Sequence, residues 1–303
     1  MRFTRLKALS AAVVLAGSLA ACGDAGSGGG SDSAGGDAPE YEVVENAADN
    51  FDAGTRMKEL AEAGTIKVGV KYDQPGLGFM GTGQDIPEGF DVEIAKILVA
   101  SLGIDPEDTS KVQYIETVSD NREPFLQSNK VDLVLASYSI TDERRQVVGQ
   151  AGPYMITGQQ LLVPEDSDVE SIDDLKGEEV CSVKGSTSLE NVTANGMKGV
   201  GFENYQQCVD QVLNGSVPAM STDGSILLGY AAANEGQLKV VGDEFSEERI
   251  GVGYSKQHPE MCQWINDTLT AAADNGDYAE AWDATLGASG EEAPELPELD
   301  ACQ

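Results

Sequence analysis

The sequence predicts an α/β protein of two lobes, each with a mostly parallel sheet flanked by helices. Strand-like segments alternate with segments that have the spacing of amphipathic helices. One strand-like segment, VDLVLAS at 131–137, is almost continuously apolar, which is typical of strands buried on both faces of a parallel sheet. The alternation starts again after GPYMITGQQLLVP at 152–164, which indicates a second lobe.

The first lobe is predicted from residue 51 to residue 157. TIKVGVKY at 65–72 alternates apolar and other residues, as a strand does, and a turn-rich stretch follows. FDVEIAKILVASLG has apolar residues at helical spacing and a terminal glycine, so it predicts a helix. A strand in KVQYIET, a short helix in REPFLQSNK and the apolar strand come next.

The second lobe is predicted over 158–245, and the chain then returns to complete the first lobe over 246–289. A short helix, a strand at 180–183 and a helix start in KGSTS open the second lobe. YQQCVDQVLNGSVPAMSTDGSILLGYAA predicts helix, strand and helix, and QLKVVGD predicts a strand. IGVGYSK predicts the strand that re-enters the first lobe, and one or two helices follow.

The N-terminus has the pattern of an export signal. A basic start, MRFTRLK, precedes the apolar ALSAAVVLAGSLA, which is too short for a permanent membrane span. LAAC then resembles the lipobox of bacterial lipoproteins, in which the cysteine receives a diacylglyceryl group. We therefore expect a signal peptide at 1–21, lipidation of Cys22 and a flexible linker at 22–50, which is rich in glycine and serine. The alternative is an ordinary secretory signal with a chance cysteine.

The charge is strongly negative, with 52 acidic against 19 basic side chains. Removing the signal removes three basic residues and no acidic one, which takes the formal charge from −33 to −36. A nucleic-acid partner would need a positive surface, so the charge argues against this class and we expect no nucleic-acid partner. The tail at 290–303 is acidic and contains proline, and we expect it to be extended.

Four further cysteines, Cys181, Cys208, Cys262 and Cys302, predict two disulfides in an oxidising compartment. Three pairings are possible. We favour Cys181 with Cys208 and Cys262 with Cys302, because each pair lies within one region of the chain and closes a modest loop. A structural metal site is the alternative, but no close CxxC pair is present, and the single histidine, His258, precedes a proline.

A cationic site is indicated by ASYSITDERRQ at 136–146. Thr141 can cap a helix that begins just after the apolar strand, so Arg144 lies near the carboxyl end of that strand, where ligands bind in open α/β sheets. Arg144, with Ser139 and main-chain N–H groups, could hold a carboxylate. The alternative is that Arg144 and Arg145 only balance acidic neighbours on a solvated helix; for Arg145 we adopt it.

Several segments together resemble the polar amino-acid solute-binding proteins of ABC importers, the extracellular solute-binding protein family 3. They are GFDVEIAKIL, VDLVLASYSITDERR, GPYMITGQQLLV, IDDLKGEEVCSVKGSTS and IGVGYSK, in the order and spacing of the family. VGVKYDQPGLGF, CSVKGST with a later YQQCVDQ, and STDGSILLGY are most similar to actinobacterial glutamate-binding lipoproteins. The resemblance implies a type II periplasmic-binding-protein fold with a two-segment hinge, crossed near 157–160 and 241–245.

The resemblance also implies roles for individual residues. Arg144 would hold the ligand α-carboxylate, assisted by Ser139, and Asp223 in STDGS would take the α-ammonium, although it could also be a helix N-cap. The KGSTS loop would add a backbone cradle at a helix start, made by Gly185, Ser186 and Thr187.

The ligand side chain is expected to meet the end of the first strand. Lys71 stands where glutamine-binding relatives have an acidic residue, so it would favour a γ-carboxylate; a solvent-exposed strand end is the alternative. Arg122 is a second candidate cation, with a surface ion pair as its alternative. Ser137, Tyr138 and Gln74 are expected to line the cleft, although the family often has an aromatic ring near Gln74.

The implied function is binding of L-glutamate at the extracellular face of the membrane and its delivery to an ABC permease. We expect a lipid-anchored monomer with no cofactor, no metal and no catalytic activity. Aspartate, glutamine or asparagine are alternative ligands. A dehydratase on the same fold is another possibility, but catalysis needs a positioned acid or base, and no Ser-His-Asp set is evident. A receptor's ligand-sensing module is disfavoured because no second apolar span follows the binding domain.

Overall fold

The structure is a computed structural model that describes residues 39–289 and 292–302. The predicted signal peptide, Cys22 and the linker up to residue 38 lie outside the described residues. The helices are α1 (Arg56–Ala63), α2 (Phe90–Ser101), α3 (Arg122–Gln127), α4 (Asp142–Val147), α5 (Thr187–Ala194), α6 (Tyr205–Leu213), α7 (Gly224–Ala233), α8 (Met261–Asn275) and α9 (Asp277–Asp283). The strands are β1 (Ile66–Val70), β2 (Asp73–Gln74), β3 (Gly78–Phe79), β4 (Val112–Glu116), β5 (Leu133–Leu135), β6 (Gly149–Thr157), β7 (Gln159–Pro164), β8 (Glu179–Val183), β9 (Lys198–Phe202), β10 (Ala219–Asp223), β11 (Leu238–Val241) and β12 (Glu248–Tyr254).

The first sheet has the strand order β4-β1-β5-β12-β6. Strands β4, β1 and β5 are parallel, with Val70 opposite Glu116 on one side and Leu135 on the other. Strand β12 runs antiparallel to both β5 and β6. The three residues of β5 are fully buried, as the apolar run predicts for a central strand covered on both faces.

The second sheet has the order β11-β7-β10-β8-β9. Strand β8 is parallel to β9 and β10, whereas β7 is antiparallel to β10 and β11. Strand β9 was not predicted from the sequence; its five residues include two glycines, and it lies at the edge of the sheet. Glycine is depleted in strands, so the pattern was too weak there. The prediction of two α/β lobes is confirmed.

The chain passes between the two sheets at two adjacent places. It leaves β6 at Thr157 and enters β7 at Gln159, and it returns between β11 and β12. The two passages are hydrogen-bonded to each other, because Phe245 N donates to Gln159 O at 3.0 Å and Gln159 N donates to Ser246 Oγ at 3.3 Å. The lobes are therefore connected by a short pair of neighbouring segments.

The N-terminal part of the described chain packs on the first lobe. Tyr41 is buried and its hydroxyl donates to Glu93 Oε2 at 2.9 Å, while Val44 N donates to Ala100 O at 3.1 Å. Both acceptors lie on α2. The folded region thus starts before residue 50, where the sequence analysis ended the linker, because an aromatic ring and a hydroxyl partner fix this segment.

The C-terminal segment 292–302 has no helix or strand, yet it is held by the first lobe. Cys302 forms a disulfide with Cys262 of α8, and the Asp300 carboxylate bridges Arg145 at 2.6 Å and Arg249 at 2.5 Å. A second disulfide joins Cys181 to Cys208. Both pairings are those favoured from the sequence.

Among the described residues, none of the helices has the length and apolar character needed to cross a membrane.

Candidate functional site

Arg144 lies at the gap between the lobes. Thr141 Oγ1 accepts from Arg144 N at 3.1 Å, so the predicted cap does start α4. The guanidinium donates to Ser139 O at 2.7 Å within the first lobe and to Gly185 O at 3.0 Å in the second. Its Nε lies 3.2 Å from Glu123 Oε1, and the side chain is 10% exposed. Arg144 therefore does not face away from the cleft on a solvated helix, which was the alternative.

Arg122 lies beside it and is 2% exposed. Its guanidinium donates to four main-chain oxygens, those of Ser119, Ala136, Ser137 and Gly185, at 2.9–3.2 Å. The alternative of a surface ion pair is therefore wrong. Burial, followed by the nearby charge of Arg144, lowers the pKa of Arg122 to about 10, so Arg122 remains charged at neutral pH.

The ring of Tyr138 contacts both guanidinium groups. Their central carbons lie 4.6 Å from the ring centroid for Arg122 and 4.8 Å for Arg144. The Tyr138 hydroxyl donates to Glu123 Oε1 at 2.7 Å, the same oxygen that Arg144 approaches. Cation–π contact and this shared carboxylate allow two like charges to lie close together in the first lobe.

Lys71 follows β1 and is 3% exposed, so the alternative of a solvent-exposed strand end is wrong. Its Nζ donates to Ser119 Oγ at 2.9 Å. Burial, and then the charge of Arg122, lowers the pKa of Lys71 to about 7. The first lobe therefore gathers three basic side chains, Lys71, Arg122 and Arg144, although the protein as a whole is strongly acidic.

Ser137 connects this cationic region to a buried network. Its backbone is left-handed, with φ at 44°, which is uncommon for a residue other than glycine and is typical of functional sites. Its hydroxyl donates to Gln74 Oε1 at 2.7 Å, and its N–H donates to Asp91 Oδ2 at 2.7 Å. Tyr154 OH donates to the other oxygen of Asp91, and burial raises the pKa of this carboxyl.

Gln74 is fully buried, and its Nε2 has no hydrogen-bond partner in the part of the chain that the structure describes. An amide donor in this position is costly unless something accepts from it. Gln74 was predicted from the sequence to line the cleft, whereas Asp91 was not predicted. The signal available for Asp91 was an acidic residue in the first turn of α2, directly after Gly89 and Phe90.

In the second lobe, Asp223 lies at the end of β10 and is 3% exposed. It precedes α7, but its side chain makes no capping hydrogen bond, so the N-cap alternative is not realised. Within residues 39–289 and 292–302, its carboxylate has no hydrogen bond or ion pair. Burial, and then the negative charge of Glu248, raises the pKa of Asp223 to about 8, although Arg122 and Arg144 oppose this shift.

The loop before α5 presents a carbonyl to the arginines. Gly185, with φ at 73°, accepts from both guanidinium groups through its main-chain oxygen. Ser186 caps α5 by accepting from Leu189 N at 3.1 Å. Thr187 Oγ1 donates to Glu248 Oε2 at 3.0 Å and lies 3.4 Å from Ser139 Oγ in the first lobe. In this arrangement the lobes touch through residues that the sequence analysis assigned to ligand.

Glu248 was not predicted from the sequence. It is buried at the start of β12, where it also accepts from Ser246 Oγ at 3.0 Å. Glu248 therefore adds a carboxylate to the first-lobe strand that enters from the second lobe, and its negative charge raises the pKa of Asp223. Three basic side chains of the first lobe thus face the buried carboxyl of Asp223 in the second lobe. This arrangement can bind a zwitterion, because the ammonium of the ligand favours the ionised form of Asp223 while the carboxylate meets the basic groups.

The alternative of a structural metal site concerns His258 and the four cysteines, which lie in the described ranges, 39–289 and 292–302. His258 is not one of the cleft residues described above; its Nδ1 lies 3.7 Å from Glu260 Oε1. No group of three or more His, Cys, Asp or Glu side chains there could hold a metal ion.

The two-lobe fold, with basic side chains facing a buried carboxyl across the cleft, is that of a solute-binding protein. Residues 66–287 match the model of the bacterial extracellular solute-binding proteins, family 3, and the chain belongs to that family. It is similar to a glutamate-binding protein of Corynebacterium efficiens, at 35% identity over 94% of this chain and 92% of the relative. A glutamine-binding protein of Geobacillus stearothermophilus is 34% identical over 71% of this chain and 82% of its own.

The fold is also similar to solved structures. An ancestral arginine-binding protein bound to glutamine aligns with a TM-score of 0.68 and 33% identity, covering 74% of this chain and 98% of its own. The two relatives and the ancestral protein are all amino-acid-binding proteins by name.

Proposed function

We propose that this protein is the substrate-binding component of an amino-acid ABC importer and that its ligand is L-glutamate. The observation that carries this proposal is the arrangement of basic side chains opposite a buried carboxyl across the cleft. Arg144, Arg122 and Lys71 lie on one side, and Asp223 lies on the other with no partner for its carboxylate in the described residues. The glutamate-binding relative supports the choice of ligand.

The proposed binding mode follows from charge and hydrogen-bonding capacity. Arg144 and Ser139 take the α-carboxylate, and Asp223 takes the α-ammonium. Ser137, Tyr138 and the Gly185–Thr187 loop line the space between. Each charged group of the ligand then leaves water for an opposite charge or several donors, which avoids the cost of burying an unpaired charge. Because the two ends of the ligand bind to different lobes, binding favours closure.

The side-chain carboxylate of glutamate is assigned to Lys71 and Arg122. Lys71 Nζ has one protein acceptor among the described residues, Ser119 Oγ, and an ammonium has three donors. Gln74 Nε2 provides a further donor nearby in the chain. A γ-carboxylate would use these groups, since carboxylates accept several hydrogen bonds.

The experiment is isothermal titration calorimetry of the mature soluble chain with L-glutamate. Arg144→Ala should weaken binding by at least about 100-fold, because two charge-assisted hydrogen bonds contribute about 1.5–3 kcal/mol each. Arg145→Ala is the matched control, since its neighbouring guanidinium binds Asp300 and not the cleft. Retained affinity in Arg144→Ala, with an unchanged circular dichroism spectrum, would refute the binding mode.

Glutamine is the second candidate ligand. A lysine with a pKa near 7 is partly neutral at physiological pH, and a neutral amine can accept from an amide. The glutamine-binding relative favours the same alternative. Lys71→Asp separates the two: the glutamate proposal expects weaker glutamate binding and a relative gain for glutamine. An unchanged preference would place the discrimination elsewhere, at Arg122.

The cellular part of the proposal is lipid anchoring through Cys22 and delivery to the permease from the extracellular face of the membrane. Labelling with a radioactive fatty acid in the native host should mark the wild-type chain and not Cys22→Ser. An equally labelled variant would place the lipid elsewhere.

A further inference from the structure

A second contact joins the lobes outside the candidate ligand site. The hairpin of β2 and β3 belongs to the first lobe, because Gly76 O and Leu77 O accept from the first N–H groups of α2. Asp73, at the start of this hairpin, reaches α6 and α7 of the second lobe. Its Oδ2 accepts from Tyr205 N at 2.8 Å, and its main-chain oxygen accepts from Tyr230 OH at 2.5 Å.

These two bonds satisfy groups that their own lobe leaves unpaired. Tyr205 is the first residue of α6, and the N–H groups of a first helical turn have no acceptor within the helix. The N-cap residue Asn204 accepts from Gln207 N through its side-chain oxygen at 3.0 Å, and the Tyr205 N–H donates to Asp73 instead. A carboxylate at this position also interacts favourably with the positive end of the helix dipole.

Gly229 allows the second lobe to come this close. A Cβ atom added to Gly229 would lie 2.1 Å from Pro75 O, a main-chain atom of the hairpin. Glycine inside a helix is less favourable than alanine, and the conformation of α7 does not require it. The close approach of α7 to Pro75 therefore accounts for a glycine at this position.

We infer that Asp73, Tyr205, Gly229 and Tyr230 form a latch that stabilises contact between the lobes and so sets ligand affinity without touching the ligand. This inference rests on the proposed function insofar as the affinity is that of an amino acid bound between the lobes. The latch adds the same free energy to the closed form whichever ligand is bound. Weakening it should change the affinities for glutamate, aspartate and glutamine by one common factor.

The test uses Gly229→Ala and Tyr230→Phe, with Leu228→Ala as the matched control. Leu228 is the preceding residue of α7 and is 57% exposed, so its truncation should leave affinity unchanged. Neither test variant alters a charge, which matters because the Asp73 carboxylate also acts on Lys71. Gly229→Ala should raise every Kd by at least about 10-fold and Tyr230→Phe by about 3-fold or more, since 1.4 kcal/mol corresponds to a factor of ten.

The kinetic origin of the change is diagnostic. Ligand meets the open lobes before the latch forms, so stopped-flow fluorescence should show unchanged association and faster dissociation. Unchanged Kd values in both variants would overturn the latch, as would factors that differ among the three amino acids. If Gly229→Ala lowers the melting temperature through misfolding of α7, Tyr230→Phe decides the question.

Failure of the proposed function is distinguishable from failure of the latch. A wild-type chain that binds none of the three amino acids refutes the function. The latch is then judged by small-angle X-ray scattering, in which Gly229→Ala must have a larger radius of gyration than wild type and Leu228→Ala. Equal radii would overturn it.

Discussion

Replacing Asp223 with asparagine should stabilise the protein and weaken its proposed binding of glutamate. The Asp223 carboxyl is buried, and its pKa is raised from 3.8 to about 8. A raised pKa means that the folded chain binds this proton more tightly than the unfolded chain. Below pH 3.8 both forms are protonated and no penalty exists. The free energy of unfolding that is lost because of this shift grows as the pH rises toward 8 and is constant above that value.

The magnitude follows from the shift. One pKa unit corresponds to about 1.36 kcal/mol, so folding loses on the order of 1 kcal/mol at pH 4.5 and on the order of 4 kcal/mol at pH 7. Asparagine leaves an unpaired buried amide that costs about 1–3 kcal/mol, but the neutral acid that it replaces has a similar cost, so these two costs nearly cancel. Asp223→Asn should therefore be more stable than wild type, and more so at pH 7 than at pH 4.5.

The assay is urea denaturation at both pH values without added amino acid, followed by calorimetric titration with glutamate at pH 7. Glutamate affinity should fall at least about 10-fold, since a charge-assisted bond to the ammonium contributes about 1.5–3 kcal/mol. Asp300→Asn is the control in which stability should change in the opposite direction. Burial acts to raise the pKa of Asp300, but hydrogen bonds from Arg249 and Arg145 outweigh burial and lower this pKa. The Asp300→Asn variant should therefore lose stability at pH 7. A variant Asp223→Asn that is no more stable than wild type at pH 7 would refute the reasoning.

Three further outcomes follow from the same contacts. Wild-type preference for glutamate over glutamine should decrease between pH 6 and pH 8, because Lys71 loses its proton near pH 7, whereas competition calorimetry on Lys71→Met should show no such pH dependence. Tyr138→Phe removes the hydroxyl bond to Glu123 and keeps the ring, so urea denaturation should show a loss of about 0.5–1.5 kcal/mol with little change in glutamate affinity. Cys302→Ser opens a disulfide that joins residues separated by 40 positions, so the free energy of unfolding should fall by about 2–4 kcal/mol; an equal stability would mean that the tail adds nothing.

The sequence predicts most of the fold because its strands and helices have clear periodicity. Strand β5 is an example: its apolar run requires cover on both faces, and the structure buries it between β1 and β12. Strand β9 was missed because its glycines remove the side chains on which the pattern depends. Pairing with β8 makes it a strand, and a contact between distant residues has no local signal.

The residues of the candidate site likewise include some that local sequence signals identify and some that they do not. Arg144 was identifiable because a cap residue, a preceding buried strand and a motif agree locally. Glu248 was missed because it comes from the strand that returns to the first lobe, and only the tertiary fold brings it to Thr187. The burial of Lys71 and Arg122 was also beyond local reasoning, since strand ends and short helices usually expose their cations.

The buried charges of the cleft lower the stability of the lobes that carry them. Lys71 and Arg122 have lowered pKa values, and Asp223 has a raised one, so each residue would be more favourably charged in water than in the fold. Packed apolar residues would avoid this cost. Such charges are explained if they serve a ligand that brings the opposite charges with it, and the ligand then restores the lost interactions to both lobes at once. On this reasoning the free energy that folding loses at these residues is recovered when the proposed ligand binds.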